Sequence, residues 1–308
     1  MTHFKIIEKK NLWFLISILV IIAGLWMMIS RSLKSEAMLN YGIDFLGGTS
    51  LIVKSETLNK QHLKTPANSE ELNIQFIKKI RTTLKNYGLD KSTIQITGEN
   101  EILIKTLQLK EAKSQDILNT LREEHGAFEI LEIDFIGPTI GKELKEKSYL
   151  IILFVVIFLL GYITLRFEWK YGVSAILALI HDGLITISLA SILEIEINTA
   201  FVAALLTVLG YSINDTIVIF DRIRENQQSQ KDQISFQTLT NTALNQTLIR
   251  TINTSITTLL VISSLIFFGG PTIKGFCIIL LIGILSGTYS SLFIASPFVV
   301  MFNRLSKD

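Results

Sequence analysis

The chain has little charge. Only 18% of its 308 residues are Asp, Glu, Lys or Arg, whereas 49% are hydrophobic and the mean hydropathy is +0.44. A soluble domain carries about 25% charged residues, so the deficit points to lipid as the solvent for much of the chain. There is one cysteine, Cys277. That excludes an internal disulfide framework and a cysteine-based zinc site. Cys277 stands in an apolar run and reads as a small apolar side chain. The net charge of +2 is too small to argue for nucleic acid. The sequence has no HExxH zinc motif, no GxSxG nucleophile elbow and no nucleotide-binding P-loop. These absences speak against an enzyme of those classes, and nothing calls for a cofactor or a metal.

What the chain does have is long apolar runs. A membrane helix needs about 20 mostly apolar residues. Six stretches qualify: Leu12–Ile29, Tyr149–Leu165, Val173–Leu193, Ala200–Phe220, Ile252–Phe268 and Phe276–Phe302. The first is longer than the apolar core of a signal peptide, and Ser30, Arg31 and Ser32 follow it instead of a small-residue cleavage site, so it reads as an uncleaved anchor. Lys5, Lys9, Lys10, Arg166, Lys170, Arg222, Arg224, Lys231, Arg250, Arg304 and Lys307 all fall on one side if the spans alternate. The short loops on the other side hold only Lys274. The positive-inside rule then places both termini in the cytoplasm and the segment from Arg31 to Lys147 outside. The expected division is residues 1–30, a cytoplasmic N-terminus and first span; 31–147, an outer domain; and 148–308, a five-helix bundle.

The outer segment is expected to fold, because its hydrophobic pattern is periodic. Ile43–Ser55 reads as a strand opened by a glycine-rich turn. Ser69–Asn86 reads as a helix with Leu72, Phe76, Ile80 and Leu84 on one stripe and Asn68 as its cap. Thr93–Thr97 and Glu101–Leu107 read as strands joined by a turn at Gly98–Asn100. Ala112–His125 reads as a helix with Ile117, Leu118 and Leu121 inward, and Ala127–Ile136 as a last strand. The order β-α-β-β-α-β is the ferredoxin-like α+β pattern. The segment has 17 basic and 17 acidic residues, a balance that argues against dedicated binding of nucleic acid or anionic lipid.

An ionisable side chain at mid-membrane costs at least about 2.5–3.5 kcal/mol on insertion scales, so such residues are functional candidates. The fourth span holds Asn214 and Asp215, with Thr207, Tyr211 and Asp215 at helical spacing. Near the start of the fifth span, Thr247, Arg250, Thr254 and Thr257 are expected to share a face. Arg250 is permanently charged and would want a carboxylate, for which Asp215 is the natural partner. The alternative for Asp215 is a water-reached interfacial acid, and for Arg250 a snorkelling anchor. The third span holds His181 and Asp182, either a proton relay or a static hydrogen-bonded pair. Gly283 and Gly287, beside Ser286 in the sixth span, have the spacing that permits close helix approach.

Two longer motifs are similar to a known family. Gly42-Ile43-Asp44-Phe45-Leu46-Gly47-Gly48-Thr49 resembles the signature that follows the first span in the SecD/SecF family. The run from Gly210 to Asn226, GYSINDTIVIFDRIREN, resembles that family's SecF-type fourth-span motif. His181-Asp182 and Gln246-Thr247-Leu248-Ile249-Arg250-Thr251 are similar too, and the likeness runs along almost the whole chain. The resemblance implies an inner-membrane subunit built as one half of a transporter of the RND superfamily. It implies SecD as partner, with the SecYEG channel, the ATPase SecA indirectly, YajC, membrane lipid and a translocating preprotein around it. It implies use of the proton-motive force to assist export, with the family's membrane carboxylate and arginine falling on Asp215 and Arg250. In this setting Gly42, Asp44, Gly47 and Gly48 form an entry hinge to the outer domain, matched by Gly137 to Gly141 at its exit.

Two other readings compete. Half of an RND-type exporter of small molecules or lipids would have the same spans. An intramembrane hydrolase on His181 and Asp182 is disfavoured, because helical neighbours point about 100° apart. Orientation has a direct test. With Cys277 replaced by Ser, an Asn59→Cys variant should react with an impermeant thiol reagent outside intact cells, and a Gln228→Cys variant should not. The opposite labelling overturns the topology.

Overall fold

The computed structural model describes residues 4–35, 37–58, 69–89, 92–97, 100–106, 111–229 and 234–305. The expected cap Asn68, the turn residue Gly98 and the labelling position Asn59 lie outside them. The chain divides into two compact units, residues 1–40 with 149–308, and residues 41–148.

Among the described residues six helices are long and apolar enough to cross a membrane: Ile7–Leu33, Pro138–Arg166, Trp169–Ile192, Thr199–Ser229, Phe236–Phe268 and Thr272–Leu305. All six apolar stretches lie in helices, apart from Leu193, which caps the third, and several of the helices run past them. The fourth continues nine residues beyond Phe220, and the fifth begins at Phe236, far ahead of Ile252. The reason is that hydropathy reports only the part of a helix matched to lipid. The polar stretch Thr238–Gln246 is as helical as the apolar stretch after it.

The third, fourth and sixth spans form the buried centre, and the first, second and fifth lie around them. Apolar burial gives membrane helices no net drive to associate, because lipid tails are as apolar as leucine; close packing must do it. Glycine supplies the room. A Cβ on Gly24 of the first span would lie 2.2 Å from Ser188 Cβ and 2.5 Å from Ser188 Cα of the third. A Cβ on Gly283 would lie 2.1 Å from a Val208 methyl, and one on Gly287 would lie 2.8 Å from Ser212 Cβ. The Gly283/Gly287 pair thus seats the sixth span against the fourth, as its spacing suggested. The sixth span changes to π-helix over Ser291–Ala295 and returns to α-helix at Ser296. At the start of the first span the backbone N–H groups of Ile6 and Ile7 both donate to Asn241 Oδ1 at 3.1 Å. The fifth helix thereby caps the first.

The second unit holds a four-stranded antiparallel sheet of β1 (Gly48–Ser55), β2 (Thr93–Thr97), β3 (Glu101–Thr106) and β4 (Phe128–Ile136), in the order β2-β3-β1-β4. Leu51 pairs with Ile104 and Val53 with Ile102, which puts alternate apolar residues on one face. Helices Ser69–Asn86 and Glu111–His125 cover that face with Phe76, Ile80, Leu84, Ile117, Leu118 and Leu121. Leu72, expected on the same stripe, is only half-buried.

One expected element differs. Ile43–Ser55 is not a single strand: Ile43–Leu46 is one helical turn, and β1 starts at Gly48. Gly47 has φ +76° and Gly48 φ +154°, conformations that turn the chain between them and favour glycine. A Cβ on Gly47 would also lie 2.8 Å from Pro138 Cα, and one on Gly141 would lie 3.0 Å from the Gly47 nitrogen. The two glycine segments expected as entry and exit hinges therefore press against each other within this unit.

The close contacts make a stability prediction. Gly24→Ala should destabilise the protein by about 1–3 kcal/mol, because its methyl meets backbone as well as side chain. Gly161→Ala, with nothing within 4 Å of the added carbon, should be neutral or gain slightly in helix propensity. Thermal unfolding in mild detergent distinguishes them. Equal midpoints for the two variants would refute the close approach.

Candidate functional site

The fourth span turns two faces to different surroundings. Ser212, Asp215 and Thr216 are buried, whereas Thr207, Gly210 and Asn214 are exposed. Tyr211 stands between and reaches Thr258 Oγ1 of the fifth span at 3.3 Å. Asp215 is 6% exposed, and its Oδ2 has no hydrogen-bond partner among the described residues. A buried carboxylate oxygen left unpaired is costly and rare, and it calls for an explanation.

Arg250 does not meet it. Arg250 is exposed, along with Thr254 and Thr257, whereas Thr247 and Thr251 are buried. The fifth helix is rotated so that the expected four-residue face splits, leaving Arg250 within electrostatic reach of Asp215 but forming no ion pair with it. Arg250 is also fourteen residues inside its helix, about 21 Å from its start at 1.5 Å per residue. The two motifs nevertheless meet elsewhere. Gln246 Oε1 accepts from Arg222 Nε at 2.7 Å and from Asn226 Nδ2 at 2.9 Å.

A second polar cluster lies inside the bundle around Asp182, which is fully buried. Its Oδ1 accepts from Ser286 Oγ at 2.8 Å and meets His181 Nδ1 at 3.0 Å. Its Oδ2 accepts from Ser212 Oγ at 2.5 Å and from Ser290 Oγ at 2.7 Å. His181 Nε2 meets Ser17 Oγ of the first span at 2.8 Å, and the ring stacks on Tyr289, whose hydroxyl donates to the Trp13 carbonyl at 2.7 Å. Beside Ser290, Ser291 Oγ lies 2.8 Å from Thr216 Oγ1. Four spans thus share one hydrogen-bonded network. Ser17 and His181 also border a mostly apolar cavity of about 250 Å³ between the first, third and sixth spans.

Ser17, His181 and Asp182 follow one another in the order of a nucleophilic triad. Ser17 lies within a continuous helix, whose N–H groups are committed to its own hydrogen bonds. The N–H groups of that helix are therefore not free to hold an oxyanion beside Ser17, and this does not favour hydrolysis. Among the described residues no cluster of His, Cys, Asp and Glu has the arrangement of a metal site.

Of the residues singled out from the sequence, the structure brings His181 and Asp182 together, buries Asp215, and leaves Asn214 and Arg250 exposed. Asp44, Gly42, Gly47 and Gly48 belong to the other unit. The hydroxyl partners Ser17, Ser212, Ser290 and Ser291 went unmarked in the sequence. One signal was available: Gly283, Ser286, Gly287 and Ser290 alternate by three and one, a single small face of the sixth helix.

Residues 116–305 match the family model described as protein export membrane protein SecD/SecF, C-terminal. Relatives named protein translocase subunit SecF include one from Sebaldella termitidis, 37% identical over 98% of this chain and 93% of that protein. Another, from Haemophilus influenzae, is 37% identical over 94% of this chain and 83% of that protein. Among solved structures, SecDF from Thermus thermophilus is similar with a TM-score of 0.83 and 31% identity, covering 98% of this chain and 39% of that one. SecDF in a super-membrane-facing form gives a TM-score of 0.67 at 31% identity, covering 100% and 40%. The chain thus spans about two fifths of the solved SecDF chains it matches. It is a multi-pass membrane protein, and it belongs to the SecD/SecF family of protein export membrane proteins.

Proposed function

We propose that the chain is the SecF-type auxiliary subunit of the Sec protein translocase. It pairs with SecD in the bacterial inner membrane and uses the proton-motive force at Asp215 to help preproteins complete export through SecYEG, with SecA and YajC as more distant associates. Both termini are cytoplasmic, and residues 31–147 form a periplasmic domain between the first span and the bundle of residues 148–308. Support for reading that domain as ferredoxin-like comes from its β-α-β-β-α-β order and its β2-β3-β1-β4 antiparallel sheet.

One observation carries the proposal: Asp215 is buried with an unpaired oxygen, next in the chain to an exposed Asn214 and within electrostatic reach of an exposed Arg250. An amide inside the fourth span and a guanidinium at the edge of the fifth would be expensive if they faced lipid. Their exposure calls for a second membrane chain on this face, with its own acceptors for Arg250. A carboxyl at that seam, able to be neutral or ionised, biases a two-state arrangement if its protonation differs between the states. Moving one charge across the membrane is worth about 2.3 kcal/mol per 100 mV.

Asp215→Asn keeps the shape of the side chain but cannot ionise. In vesicles containing this chain with SecD, it should reduce proton-dependent preprotein export to the level seen without a gradient, at normal protein amount and SecD co-purification. Arg250→Ala should do the same. The uncharged double variant, Asp215→Asn with Arg250→Gln, should not restore it, because the two side chains form no ion pair. Normal gradient-driven export in a well-expressed Asp215→Asn variant would sink the proton-coupling reading. Efflux of dyes, with export untouched by any of these changes, would support a small-molecule exporter instead.

A further inference from the structure

Asp182 and Asp215 stand in opposite situations. Asp182 has four polar partners on its two oxygens; Asp215 has an oxygen with none. They are joined through the fourth span. Ser212 lies three residues before Asp215 and Thr216 directly after it, so the three occupy one side of the helix. Ser212 is held by Asp182, and Thr216 by Ser291. Ser291 also lies 3.3 Å from the Ser212 carbonyl oxygen, which it can reach as a donor. The helix is therefore pinned on both sides of Asp215, against a sixth span brought close by Gly287.

We infer that Asp182 is a positioning residue for Asp215, fixing the seam between the fourth and sixth spans through Ser212, Ser286 and Ser290. The π-helical stretch is part of this device. Consecutive residues of an α-helix point about 100° apart, yet Ser290 and Ser291 must serve neighbouring partners, Asp182 and Thr216. The widened turn begins at Ser291, and π-bulges are often found at functional sites. Through His181 and Ser17 the first span joins the same network, so four helices are referenced to one carboxylate. The inference rests on Asp215 as the proton-responsive group, and it adds what keeps that group dry and unpaired.

The test reads Asp215 itself. A hydrophobic carbodiimide modifies protonated carboxyls in dry surroundings, and peptide mass spectrometry resolves the adduct at Asp215 from one at Asp182. Ser212→Ala and Ser290→Ala each remove one donor to Asp182. They leave the ionisable groups His181, Asp182, Tyr211, Arg250 and Tyr289 in place. The loosened seam should admit water, and modification of Asp215 should slow by about fivefold or more, the lower range of coupling between sites. Asp182→Asn, which sets an NH2 against hydroxyls that had been donating, should slow it further. Ser286→Thr, which keeps a hydroxyl for Asp182, should restore labelling relative to Ser286→Ala. If folded Ser212→Ala and Ser290→Ala label at the wild-type rate, the positioning role is overturned. That outcome is separate from the fate of the proton-coupling reading, which is decided by export in Asp215→Asn. Should Asp182→Asn fail to fold, the two serine variants decide alone.

Discussion

A lipid bilayer offers a polar side chain nothing to bond with, and the membrane unit is arranged around that fact. Each polar group within a span must find protein, water or a second chain. Serine and threonine hydroxyls meet the demand locally by donating to the carbonyl four residues back, as Ser174, Thr186, Thr207 and Ser255 do. A carboxylate has no such recourse, since it brings only acceptors and helical N–H groups are already used. It must recruit donors from neighbouring helices, and Asp182 recruits them from the fourth and sixth spans and from His181 beside it. The glycines at 283 and 287 bring the fourth and sixth spans close enough for those donors, because hydrogen bonds of 2.5–2.8 Å need backbones closer than bulky side chains allow. Packing and polar satisfaction are one requirement here, met by the same small residues.

Much of the fold was legible because lipid imposes a length and a composition on each span. The boundaries were less so. A helix such as Phe236–Phe268 enters water without ending, and hydropathy falls where helicity does not. In the outer unit, alternation identified β2, β3 and β4 closely, but Ile43–Leu46 has strand-like residues and forms a helical turn. The two glycines after it, with positive φ, decided that local outcome, and nothing in the alternation registers a backbone dihedral.

The site was legible in its charges and not in its geometry. Asp215, Arg250, His181 and Asp182 stand out because an ionisable group in a span is expensive. Which of them meet depends on helix rotation, and a turn of one helix by one residue is about 100°. Thr247 and Arg250 looked like members of one face, yet the first is buried and the second exposed. The serines were invisible for the opposite reason. They cost little in a helix, occur throughout membrane spans, and acquire meaning only beside Asp182.

The contrast between the two carboxylates bears on how one helix can be both held in place and responsive. A group that responds to a proton gradient must have two states of comparable free energy, so its partners must not lock it in one of them. Asp215 has an unpaired oxygen, which costs local stability and leaves it without a full set of partners. A helix bearing such a group will tend to relax by rotating or admitting water unless something else fixes its position. The four contacts at Asp182 supply that fixity from the buried side, and Asn214 and Arg250 leave the other side open to a partner. One face of the fourth span is therefore held and the other is left to be completed, which is the arrangement a helix needs if a change of charge on it is to move a neighbour rather than itself.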